Sequence, residues 1–279
     1  MTRAVTSFTY ASTAIAAGVA IRDGGSTGIV PLLALGLCCT ILPIPFLAER
    51  SVLAERLAAK STTRTRRRSE KARRDRFGSV SEMLRVAPAM APFIAVIFLE
   101  AFSAAAFYRL GPVRISDIGG DAAMLGLGAT LAAFVEVPFM INASRLLTRI
   151  GLRRGFAVST LIMGLITASL GLLDSALSMT LLRLAEGAVF ALALMCSIEI
   201  VDRLVPRRLH ATGQSLYHSA GGLGAALGGI AAGYVYGATN SGAVFVYSGI
   251  GLLFTAALAL RALPRGRQLA AADRRHAER

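Results

Sequence analysis

Charge is scarce in this chain and uneven in sign: 16% of its 279 residues are charged, and 30 Lys and Arg outnumber 16 Asp and Glu, for a net charge of +14. Cysteine is scarcer. Cys38, Cys39 and Cys196 all lie inside apolar runs, which argues against a disulfide framework and a paired-cysteine metal site. No glycine loop precedes a basic–hydroxyl pair as a phosphate cradle would require, and no His, Asp and Glu set has metal-ligand spacing. Soluble catalysis therefore has no foothold; the expectation is a protein that is not an enzyme and carries no cofactor and no metal.

Apolar residues are abundant instead. They make up 54% of the chain, with 28 Gly and a mean hydropathy of +0.60, more than a soluble core needs. A bilayer span takes about 20 apolar residues, and eight runs qualify, at about 4–21, 28–48, 88–109, 122–143, 155–174, 177–201, 212–236 and 241–262. The first run is Ser/Thr-rich, lacks a clear cleavage site and leads straight into another span, so it reads as a retained helix and not a signal peptide.

The basic residues orient these spans. With the N-terminus in the cytoplasm, all Lys and Arg except Arg22, Arg109, Arg114 and Arg183 fall on the cytoplasmic side; the first three face outside and Arg183 is intramembrane. An even helix count returns the C-terminus to the same side. A nucleic-acid binder would gather its charge on one folded face, whereas this charge is spread among short connectors, so no nucleic acid is expected. The fold class expected is all-α and polytopic: two spans over 1–48, a basic cytoplasmic linker over 49–87 containing TTRTRRRSEKARRDRFGS, a six-helix bundle over 88–262, and a basic cytoplasmic tail over 263–279.

An ionisable group inside a span costs about 2.5–3.5 kcal/mol on insertion scales, which makes each one a functional candidate. Glu100 and Glu136 sit near the middles of their runs, and Arg183 and Glu186, three residues apart, share one helix face and can pair. Ion pairs that merely hold helices together are the plainer alternative. Pro138, two residues after Glu136, suggests a bend beside a carboxylate. Gly229, Gly233 and Gly237, at four-residue spacing, form a stripe for close helix packing, preceded by Gln214, Tyr217 and His218. Glu199, Asp202 and Arg203 end the run 177–201 and could form a cytoplasmic latch with the basic segment 144–154, or only ordinary interfacial pairs.

The segments VEVPFMINASRLLTRIGLRRGFAVS, RLAEGAVFALAL and RRLHATGQSLYHSAGGLGAALGGIAAGYVYG, in that order, resemble the C-terminal half of a major facilitator superfamily transporter, in the branch of sugar-efflux and lactose-permease-like proteins. The resemblance covers about 88–262. It aligns Arg149, Gly151, Arg153 and Arg154 with the family's gating turn, although Ser144 and Thr148 stand where the family often has Gly and Asp. It implies that Glu136 and the Arg183/Glu186 face belong to a central cavity and proton-coupling network. It also implies helices five to twelve of a twelve-helix fold, with the first four missing. The function expected is secondary active transport of a small polar, sugar-like solute, coupled to protons by alternating access in the inner membrane. The partners expected are that solute, protons, the lipid bilayer and the missing N-terminal helices. An inactive truncated or decayed fragment is the alternative reading; a membrane-embedded enzyme would need a convergent nucleophile–base or metal set, which the spans lack.

Overall fold

The computed structural model describes residues 80–264 apart from Asn240; the expected spans 4–21 and 28–48, linker residues 49–79 and tail residues 265–279 lie outside the described residues. The described residues form helices and turns, with no strand among them. A short helix, α1 (Val80–Val86), precedes six long ones: α2 (Met90–Asp117), α3 (Ala122–Ile150), α4 (Leu152–Leu172), α5 (Ala176–Leu204), α6 (His210–Ala238) and α7 (Ser241–Ala262). Helices suit such apolar sequence because each satisfies its own backbone hydrogen bonds where no water can.

Five of them are long and apolar enough to cross a bilayer: α2, α3 over Ala122–Ala143, α4, α5, and α7 over Gly242–Ala262. The expected span 212–236 is continuous helix within α6, but its Gly, Ser, His and Tyr dilute its hydropathy and it falls outside that set. The end of the expected solvated linker departs from expectation too: Val80–Val86 is helical and buries Met83 completely, because the charge run stops at Arg76 and an apolar face can form.

The helix ends follow from local chemistry. Asp121 caps α3 by accepting from the Met124 N–H at 2.8 Å. At its other end α3 runs seven residues past the expected limit, carrying Arg145 and Arg149, and stops at Gly151, whose φ of 82° is open to glycine at little cost. The segment expected as a gating loop is therefore a single-residue turn between two helices.

In packing order the helices run α6, α2, α7, α4, α5, α3, so helices adjacent in sequence are seldom neighbours in space. Small residues make each major seam. A Cβ on Gly224 or Gly228 of α6 would strike the Phe98 or Phe102 carbonyl of α2, one on Gly187 of α5 would strike Ala132 of α3, and Gly249 of α7 meets Gly164 and Ala168 of α4. Such contacts bring backbones together where burying apolar groups alone gives no gain over lipid. Buried hydroxyls are handled locally: Thr160, Thr167, Thr180 and Thr255 each donate to the carbonyl four residues back, at 2.8–2.9 Å.

The expected packing stripe Gly229, Gly233 and Gly237 is one residue out of register. Ala220, Gly224, Gly228 and Ala232 form the buried small-residue stripe of α6, with Gly213 buried nearer its start, whereas Gly233 and Gly237 have nothing within 4 Å among the described residues. Ala220 and Ala232 extend the stripe on either side of Gly224 and Gly228, so glycine spacing alone misreads the face. Gly228→Leu should accordingly destabilise the protein in detergent by about 1–3 kcal/mol, read as a lower midpoint in a thermal scan, with Gly237→Leu close to the parent.

Candidate functional site

Helix α2 supplies one wall of a cavity of about 370 Å³ within the bundle. Glu100, Ala101, Ala104, Ala105 and Tyr108 recur at three- and four-residue spacing, so they lie along one face of α2, and the three alanines leave room that larger side chains would fill. Phe190, Ala193, Leu194 and Ser197 of α5 form a second wall, and Tyr217 and Ala225 of α6 a third. Phe156 of α4 and Tyr217 also line the space, and both pack on buried Phe93, with ring centroids 6.4 and 6.2 Å away. This aromatic cluster lies on the side where α2 begins.

Beside the cavity, three helices bring acidic groups together. Arg183 Nη1 lies 3.5 Å from Glu186 Oε2 on α5, and the guanidinium sits 5.1 Å above the Phe107 ring of α2. Glu186 is only 4% exposed, and its Oε2 has an ion-pair neighbour but no hydrogen-bond donor in good alignment. The Tyr108 side chain comes within hydrogen-bonding reach of Glu186, and Glu136 of α3 is near enough to interact with it electrostatically. Glu100 in turn interacts with Tyr108. The four residues Glu100, Glu136, Arg183 and Glu186, spread over 87 positions of sequence, thus form one neighbourhood with Tyr108 between them.

Tyr108 and Arg109 were not among the expected site residues. The expected span ended at Arg109, with Arg109 facing outside, but α2 continues eight residues further through Pro112 to Asp117, and Arg109 lines the cavity. A proline near the end of a helix does not stop it when the carbonyl it frees is close to water. The signal available was the small-residue face Ala101, Ala104 and Ala105 running from Glu100 to Tyr108.

At the other end, the latch candidates pair with one another and with α6. Glu199 pairs with Arg203 within α5, at 2.8 Å. Asp202 faces α6, accepting from Gln214 at 3.2 Å with His210 Nδ1 3.8 Å away. Arg153 donates to the Leu260 carbonyl of α7 at 3.1 Å, and Arg149 and Arg154 have no ion-pair partner among the described residues. Arg208 instead joins Glu82 of α1, at 2.7 Å. At the far end, Arg114 ties α2 to the α4–α5 turn through Asp174 at 3.3 Å, and Tyr236 donates to Asp117.

A family model described as the MFS_1 like family matches residues 2–247. A maltose permease of Geobacillus stearothermophilus is 28% identical over 156 residues, which is 52% of this chain and 40% of the permease's own length. No solved structure matches.

The ion pair yields a stability test. Arg183→Gln leaves the buried Glu186 carboxylate without its cation, and should cost about 1–3 kcal/mol, below the value for a fully buried pair because Arg183 keeps 26% of its side chain exposed. Adding Glu186→Gln should recover most of that loss, and unfolding in mixed micelles measures both; an additive double variant would contradict the pairing.

Proposed function

Since the chain belongs to the MFS_1 like family, we propose that it works in secondary active transport of a small polar, sugar-like solute, driven by protons and using alternating access. The observation that carries this reading is the cavity bordered by Glu100 and Tyr108, with Glu136, Arg183 and Glu186 drawn together beside it. Carboxylates at such depth are costly unless they do work, and an acid that can exchange a proton between two conformations couples that proton to movement of the bundle. Glu136, Glu186 and Glu100 are the proposed proton carriers. Arg183 holds a positive charge against Glu186 within α5, and loading the carboxylate with a proton weakens both that pair and the Tyr108 contact that joins α5 to α2.

The solute class draws on the maltose permease likeness, and polar hydroxyls suit a cavity that offers a carboxylate, a phenol and aromatic faces. The basic residues at the α3–α4 turn and around Arg207 and Arg208 support placing that end of the bundle in the cytoplasm, in a multi-pass inner-membrane protein with both termini inside. The Arg149–Arg154 turn and the Glu199, Asp202 and Arg203 cluster sit at that end and are proposed to change partners as it opens.

Proteoliposome uptake of labelled maltose, with and without an imposed proton gradient, tests the reading. Gradient-dependent uptake is expected; uptake that ignores the gradient would remove proton coupling. Glu136→Gln should retain solute exchange and flatten its pH dependence. An unchanged pH profile in that variant takes Glu136 out of the coupling role.

A further inference from the structure

Proton coupling leaves Arg109 unexplained. It lines the cavity eight residues before α2 ends, about 12 Å along the helix from its terminus. Among the described residues no carboxylate comes within ion-pair distance of it, whereas Arg183 has both Glu186 and the Phe107 ring. A cation on a spanning helix needs a partner or water, and Arg109, exposed at the cavity wall, is open to an anion that enters there.

At Gly229 of α6 an added Cβ would lie 3.7 Å from Arg109 Cγ, in ordinary contact, so this part of α6 runs directly beside the arginine stem. Gly229, expected to serve helix packing, stands beside Arg109.

Resting on the transporter reading above, we propose that Arg109 binds the acidic group of the solute, and that the cavity takes a polyhydroxylated anion. A guanidinium presents paired N–H donors that match the oxygens of a carboxylate or a phosphate. Glu100, nine residues earlier on α2 and about 13 Å away along the axis, is far enough not to repel that group and accepts hydrogen bonds from hydroxyls at the other end of the solute. The Phe190 and Tyr217 rings offer apolar surface to the C–H face of a sugar ring. A neutral sugar would fill the same space and leave Arg109 without an acceptor.

Equilibrium binding of labelled D-glucuronate, D-glucose 6-phosphate and maltose to the full chain in detergent at neutral pH tests the proposal. At least one anion should bind, and Arg109→Gln should weaken it about 10- to 100-fold, the worth of a charge-assisted contact. Arg109→Lys should restore part of the loss. Binding of glucuronate alone assigns a carboxylate, and of the phosphate ester alone a phosphate. Anion binding untouched by Arg109→Gln, or binding of maltose with neither anion, overturns the proposal while leaving the transporter reading standing. Binding of none of the three overturns both. Should Arg109→Gln not fold, the wild type decides: anion affinity must fall with added salt while maltose affinity does not, and equal salt dependence overturns the proposal.

Discussion

In hydrocarbon an apolar side chain gains little by leaving lipid for protein, so these helices must be held by closeness of backbone and by the few polar groups they carry. That constraint accounts for where the glycines and alanines fall. Gly224 and Gly228 bring α6 onto the carbonyls of Phe98 and Phe102, Gly187 brings α5 onto Ala132, and Gly164 and Gly249 face each other between α4 and α7. The seams bind helices distant in sequence, and α2 and α3, joined by a short turn, hardly touch. What remains between α2, α5 and α6 is a space that alanines line but do not fill.

The same absence of water governs the charged groups. Glu186 is nearly buried and survives because Arg183 stands one turn away on its own helix and Tyr108 reaches it from α2. Glu100 and Glu136 approach the same neighbourhood from two other helices. Membership in the MFS_1 like family gives this arrangement its context, with a match that extends from residue 2 to residue 247.

Much of this was legible in the sequence, and the misreadings have physical causes. The three-residue spacing of Arg183 and Glu186 fixed a pair because helical geometry is local. Helix ends were harder to read: charges at Arg109, Arg114, Arg145 and Arg149 looked like the start of solvent, but the helices overhang the apolar core and continue until Gly151 or the turn after Asp117 ends them. Register between helices was harder still. Gly229, Gly233 and Gly237 share a face, yet nothing within one helix tells which of two adjacent small-residue stripes meets a neighbour. Tyr108 escaped notice because its partner, Glu186, lies 78 residues away.

All of this requires one distinction: a cavity wall open to water, and open apolar surface elsewhere that meets lipid. Phe254 of α7 is 64% exposed and Ala193 of α5 is half-buried at the cavity. With the three native cysteines replaced, a single cysteine at either position in native membranes can be treated with a small, membrane-impermeant thiol reagent. Water in the cavity predicts rapid modification at position 193 and none at 254; modification at 254 with protection at 193 would contradict the account.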